Sequence, residues 1–249
     1  MDWQDQGIIL SASRFGESDA ILEVLTLRHG RHLGLIKAGM ARGRRAEIQT
    51  GNLVSIEWRA RLSEQLGNYT LELVRPYAAL ALDSQIGLAG LAAAAAVAGA
   101  SLPEREPHPN VFGATQVLME ALTGSSPSTG AAVYVKWELG LIQDLGFGLD
   151  LASCAVTGVT DDLTHVSPRT GRAVTREAAL PYGNRLLALP AFLLGAQAGD
   201  VDAETLGDGF RLTGHFLSQS VLAPYRRDVP AARGIFVDLI LKSLLNRKS

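Results

Sequence analysis

The chain has 249 residues, 47% of them apolar and 19% charged, with a formal net charge of −2. That composition supports a sizeable core in one large or two modest domains. It excludes a protein coated all over in positive charge, so any polyanion site must be a local patch. A single cysteine, Cys154, excludes an internal disulfide and fits a reducing compartment.

The opening MDWQDQGIIL carries two early acids and no basic segment, so it does not read as a signal peptide. Residues 7–77 read as β structure. GIILSAS is an apolar run, RFGESD a turn, AILEVLTL a second strand and RHGR a turn around Gly30. HLGLIKAG is a third strand. The stretch LIKAGMARGRRAEI then turns on Gly39 and Gly43 and carries Lys37, Arg42, Arg44 and Arg45, answered only by Glu47. In GNLVSIEWRAR, Val54, Ile56 and Trp58 alternate with Ser55, Glu57 and Arg59, the period of a strand with one buried face. NYTLELVRPY is a fifth strand, ended by Pro76. Five short strands with glycine-containing turns predict a small antiparallel barrel, either of the oligonucleotide-binding (OB) type or SH3-like.

From Ala78 the composition turns to alanine and leucine, the strong helix formers. The uncharged stretch Ser84 to Pro103 is too poor in large apolar residues for a membrane span and reads as a buried helix. After the proline-rich break PEREPHPN, Asn110 is placed to cap a helix over VFGATQVLMEAL. GSSPSTG reads as a loop. AAVYVKWELGLIQDLGFG is amphipathic, with Val133, Trp137, Leu141 and Leu145 on one face and Gly146 and Gly148 as a stop. Residues 150–183 break the helical pattern and read as one or two small hairpins inserted among helices. Helices are expected again over LLALPAFLLGAQ, AETLGDGFRLTGHFLSQSVL and RGIFVDLILKSLLNRK.

No catalytic signature is present: the sequence has no phosphate loop, no His-Glu-x-x-His and no Gly-x-Ser-x-Gly. The five histidines and Cys154 lack the tight spacing of a structural zinc site, so no metal or other cofactor is expected. Asp144, Asp150, Asp161 and Asp162 read as caps and turns. The signal above background is cationic. Eight Lys or Arg lie between Arg28 and Arg61 against two acids, Glu47 and Glu57. Phosphate contact explains such a cluster, because guanidinium groups donate bidentately to phosphate. The candidate DNA-binding residues are Lys37, Arg42, Arg44 and Arg45, extended by Arg31, Arg59 and Arg61. The aromatic supply, Phe15, Trp58, Tyr69 and Tyr77, is thin, and Trp58 belongs to the apolar face, which points to backbone binding with little base readout. A peptide-binding adaptor, an RNA-binding barrel and a small hydrolase or transferase using acids near 150–183 remain as alternatives.

The ordered set of features resembles the bacterial recombination mediator family RecO. The matching stretches are Gly7-Ile-Ile-Leu, the Arg14-Phe-Gly-Glu-Ser-Asp turn, Leu25-Thr-Leu-Arg-His-Gly, and Lys37-Ala-Gly with Arg42, Arg44 and Arg45. Further on, LDLASCAVTG, HVSPRTGRAV and REAALPY resemble the family's zinc-ribbon region. The resemblance implies an α+β architecture: a five-stranded OB-type barrel over 1–79 that binds DNA, then a helical domain over 80–249. The helical domain would hold a zinc-ribbon-like insertion at 150–183 that lacks the zinc ligands, since only Cys154 remains and Thr157 stands where a Cys-x-x-Cys partner would be. It further implies recombinational repair by the RecF pathway. Such a protein binds single- and double-stranded DNA, anneals strands, and acts with RecR and single-strand-binding protein to load RecA. The implied location is the cytoplasm, on the nucleoid, with no membrane partner. Lys37, Arg42 and Arg44 match the family's DNA-contacting loop; Arg45, Arg59 and Arg61 are added on charge alone.

Overall fold

The computed structural model describes residues 1–62, 64–195 and 201–246. The chain divides into two compact units, Met1–Ser125 with Pro230–Phe236, and Ser126–Val229 with Val237–Ser249.

The first unit is built on five strands: β1 (Asp2–Phe15), β2 (Asp19–Thr26), β3 (Gly30–Ile36), β4 (Leu53–Arg59) and β5 (Asn68–Arg75). They close in the order β1-β2-β3-β5-β4, an OB-type barrel. Neighbours pair antiparallel except β3 and β5, which meet in parallel at Leu35 and Asn68. β1 makes closure possible. Its first half pairs with β4 from Asp2 to Ile8, its second half with β2 from Gly7 to Phe15, and the register shifts between Ile9 and Ser11. A bulge of that kind bends a strand, as joining two halves of a barrel requires. Gly7 sits where both pairings overlap, and a Cβ there would lie 2.3 Å from the Val24 side chain. The interior is filled by Ile9, Leu22, Val24, Ile36, Val54, Ile56, Trp58, Tyr69 and Leu71. The alternation of Val54, Ile56 and Trp58 thus points inward as expected, while Ser55 and Arg59 face solvent.

The alanine-rich segment is broken into two helices, α1 (Tyr77–Leu80) and α2 (Gln85–Ser101). Ser84 caps α2 by accepting a hydrogen bond from the backbone N–H of Gly87. α2 packs small residues against β1 and against α3 (Pro109–Gly124). At Gly90 a Cβ would stand 2.7 Å from Leu122. The start of α3 departs from expectation: its cap position is His108, with Pro109 in the first turn, and Asn110 is already helical. Proline's fixed φ and missing N–H suit that first turn, which outweighs a side-chain cap one residue later.

The second unit opens with α4 (Pro127–Ile142), so the expected loop at 124–130 shrinks to its first residues. Ser126 caps α4 through Thr129 N–H. A π-turn over Gln143–Phe147 ends the run, with Gly146 at φ +88°. The inserted region holds a hairpin of β6 (Leu163–Val166) and β7 (Ala173–Thr175), followed by the one-turn helix α5 (Arg176–Ala179). The hairpin gains a third strand, β8 (Leu187–Ala188), in the order β7-β6-β8. The helix expected from Leu186 is replaced by β8 and a 3₁₀ turn at Ala191–Leu194. Pro190 between them cannot donate to a helical ladder; Ala196 and Gln197 of that expected helix lie outside the described residues. α6 (Ala203–Phe216) follows, capped by Asp202 on Thr205 N–H, and runs into a π-turn at Leu217–Leu222. α7 (Ala231–Asn246) closes the chain. Inside this unit the fully buried Glu138 carboxylate accepts a hydrogen bond from Thr213 Oγ1 at 2.5 Å. No helix among the described residues is long and apolar enough to cross a membrane.

Candidate nucleic-acid interface

The basic stretch between β3 and β4 is a set of tight turns clasped onto one end of the barrel. Backbone N–H groups of Arg44 and Arg45 donate to Ala41 O, and those of Glu47 and Ile48 donate to Arg44 O, all at 3.0–3.2 Å. Three anchors hold it. Ile48 inserts into the barrel core, 4% exposed. The buried Asn52 donates through Nδ2 to Ala46 O and Glu47 O at 3.0 Å each and accepts from Ala78 N–H. At the other side Ala38 N–H donates to Asp19 Oδ1 and Met40 N–H to Ser18 O, both at 2.8 Å, which binds the loop to the β1–β2 turn. Gly39 is there for packing, since a Cβ would stand 2.6 Å from Ile36 and 2.9 Å from Ala20; the positive φ of the turn falls on Ala38, at +53°.

From this frame Lys37, Arg42 and Arg45 project into solvent and Arg44 is half-buried. Arg45 folds back far enough to donate from Nε to Met40 O at 2.8 Å. Among the described residues no ion pair engages Lys37, Arg42 or Arg44. Four cations on an ordered scaffold, three of them in no ion pair among the described residues, form a local positive surface.

The remaining candidates lie elsewhere. β3 starts at Gly30, so Arg31 lies at the far mouth of the barrel, six residues and about 20 Å from Lys37 at a strand rise of about 3.3 Å per residue. Arg59, at the end of β4, instead stands across Asn68 from Leu35, two strand spacings or about 10 Å from the root of the loop. Arg31 is committed to the fold: its guanidinium pairs with Glu23 and donates from Nε to Leu102 O at 2.8 Å, leaving the side chain 12% exposed. Arg59 is exposed and donates to Glu57 Oε1 from Nε and Nη2 at 2.9 and 2.6 Å. Arg61 is exposed beyond the strand end. The chain thus carries one cationic cluster on the loop and, at the end of β4, a separate set in Arg59 and Arg61.

That far mouth holds a group the sequence reading missed. Trp3, on the first half of β1, stacks on His29 with ring centroids 4.0 Å apart and planes 8° off parallel, and on Trp58 at 5.6 Å and 17°. His32 packs edge-on to Trp3, and its Nδ1 lies 3.0 Å from Tyr69 Oη. Burial and the Arg105 charge push the His32 pKa down to about 4, so the ring is neutral at pH 7. Beneath the stack, Asp5 is buried. Burial raises its pKa, but hydrogen bonds from the His29 ring, the backbone N–H groups of Arg28 and Gln6, and the Arg28 guanidinium together hold it below the usual carboxylate value. The alternation rule hid this strand half because a buried, hydrogen-bonded Asp5 looks like a solvent residue.

In the inserted hairpin region Cys154 is buried, its sulfur 3.4 Å from the Thr175 N–H and 3.8 Å from the Thr175 hydroxyl. The Thr157 hydroxyl, first among its hydrogen-bond donors, draws the thiol down to about 6. Among the described residues no group of three His, Cys, Asp or Glu side chains converges as metal ligands would.

Comparison with known proteins connects both halves of the chain to one family. Residues 1–77 match the family model "Recombination protein O N terminal" and residues 85–228 match "Recombination protein O C terminal". Among curated relatives, the DNA repair protein RecO of Rhodospirillum centenum is 49% identical over 98% of this chain and 96% of its own length. That of Rhodospirillum rubrum is 47% identical over 96% of each chain. That of Phenylobacterium zucineum is 50% identical over 94% of this chain and 95% of its own length. An OB-type barrel bearing the Lys37–Arg45 loop, joined to a helical part, with near-half identity to these relatives from end to end, places the chain in the RecO family.

Proposed function

We propose that this protein is a non-enzymatic mediator of recombinational DNA repair in the RecF pathway. It captures the phosphate backbones of single- and double-stranded DNA on the Lys37, Arg42, Arg44 and Arg45 loop and anneals complementary strands. With RecR and single-strand-binding protein it helps load the RecA recombinase, in the cytoplasm on the nucleoid and without a cofactor. Residues 1–79 are the DNA-binding barrel in this reading, and 80–249 carry the contacts to partner proteins. The names and identity of the relatives support the repair role.

The observation that carries the DNA reading is the loop: four cations within nine residues, held rigid by Ile48 and Asn52, in a chain of net charge −2. Bringing two polyanionic strands to one positive surface lowers their mutual repulsion, which is the physical requirement for annealing. Arg59 and Arg61 at the end of β4 offer a second cationic set to a long strand, whereas Arg31 serves the fold. The test is a salt titration of DNA affinity. Binding is expected to weaken steeply with salt, each phosphate contact adding about 0.9 to the log–log slope on duplex. Affinity that stays flat from low to moderate salt would remove the phosphate mechanism.

A further inference from the structure

At the far mouth of the barrel the three-ring ladder Trp58–Trp3–His29 opens into a concave pocket of about 520 Å³, lined by Met1, Asp2, Trp3, Arg28, His29, His32, Trp58 and Arg105. That volume falls in the range of small-ligand sites. Two guanidinium-bearing side chains meet there, delivered by different elements. Arg28 comes from the β2–β3 turn, is 65% exposed and is aimed by Asp5. Arg105 comes from the segment between α2 and α3. Its backbone sits at φ +61°, a left-handed conformation that a non-glycine residue adopts at a cost. The surroundings enforce that conformation: Arg105 N–H donates to Arg31 O at 2.8 Å, and Glu104 bridges Arg31 on the edge of β3. Gly30, at φ +68°, leaves room for this segment, since a Cβ would stand 2.1 Å from Glu106 O. The constrained backbone thus fixes where the Arg105 side chain enters the pocket.

We propose that this pocket takes an unpaired nucleobase of single-stranded DNA, which continues the ring ladder on the outer face of His29 while Arg28 and Arg105 hold the flanking phosphates. The proposal rests on the DNA-binding reading and adds to it a source of strand discrimination. Aromatic stacking accepts any base but needs one that is free of its duplex partner, whereas the Lys37–Arg45 loop meets only backbone. His32 is neutral and buried, Arg28 faces the pocket from its ion pair with Asp5, Arg105 donates from Nη2 to Gln65 O at 3.4 Å, and Asp2 lies opposite Arg59 in the β1–β4 register. Arg59 extends the cationic rim with Met1, Asp2 and Ala60.

The test uses the full chain with a single-stranded oligothymidylate and a duplex of equal length, read by fluorescence anisotropy. It is joined to ultraviolet crosslinking of a strand carrying 5-iododeoxyuridine. The Arg28→Ala/Arg105→Ala double variant is expected to lose about tenfold in single-strand affinity and to lower the single-strand salt slope by about 1.4, two phosphate contacts at about 0.7 each, with duplex affinity within twofold. The wild-type crosslink is expected on the peptide bearing Trp3 or His29. His29→Ala, which keeps Trp3 and Trp58 packed, is expected to lose that crosslink and the same single-strand affinity. Equal losses on both strands, or crosslinks confined to the 37–49 loop, would overturn the pocket alone. Failure of the wild-type chain to bind either strand would overturn the DNA reading and the pocket with it.

Discussion

Removing the charge of Lys37, Arg42 and Arg44 together, as Gln, isolates the loop from the fold. None of the three side chains is engaged in an ion pair among the described residues, and the anchors of the loop, Ile48, Asn52 and the Ala38 and Met40 N–H groups, are untouched. The variant therefore keeps its folded state, with the exposed Lys37 and Arg42 changes each costing within about 0.5 kcal/mol. If each cation meets one phosphate, the duplex salt slope falls by about 2.7, and the affinity lost between 50 and 200 mM salt shrinks by about fortyfold. Anisotropy titrations of a fluorescent duplex at four or five salt concentrations measure that slope, with thermal melts run alongside. A variant that binds with the wild-type slope would show that the phosphates lie elsewhere. A variant that loses its melting transition would show that the loop is part of the core.

Arg31→Ala is expected to act on stability rather than on DNA. It strips Glu23 and the Leu102 carbonyl of a donor and costs about 1–3 kcal/mol, read by denaturant unfolding; unchanged stability with weakened DNA binding would return Arg31 to the interface. Gly34→Ala drives a Cβ to 2.4 Å from the Tyr69 ring, so overpacking is expected to cost about 1–3 kcal/mol in the same assay. The barrel's acid sensitivity follows from His32. Its folded pKa of about 4 lies below the ordinary 6.5, so the unfolded chain binds the extra proton between these values. Stability therefore falls as pH drops from about 6.5 towards 4, and His32→Phe is expected to flatten that part of the profile; a profile as steep as wild type would place the titration elsewhere.

What the sequence made legible followed from periodicity. Val54, Ile56 and Trp58 alternate and do line the barrel, and the alanine-rich stretch does form a buried helix. What stayed hidden depended on partners far along the chain. The first half of β1 is strand because it pairs with β4, not because DWQDQ alternates. Asp5 is inside because four donors meet it, which hydropathy cannot register. Trp3, His29 and Arg105 become neighbours only when the barrel closes and the 103–107 segment lies along β3. Counting charge along the chain likewise merged Arg31 with the loop, although six residues of β3 separate it from Lys37 and its guanidinium is held by Glu23 and the Leu102 carbonyl. The Leu-rich run after Leu186 carries helical composition, but Pro190 divides it into a short strand and a 3₁₀ turn.

The most direct measurement of the mediator claim is the annealing of two complementary strands, each coated with single-strand-binding protein, followed by fluorescence energy transfer between end labels. Wild-type chain is expected to accelerate pairing on bare and coated strands, and the Lys37/Arg42/Arg44 variant to lose most of that acceleration at moderate salt. Annealing no faster than the spontaneous rate in both formats would contradict the proposed function while leaving the fold as described.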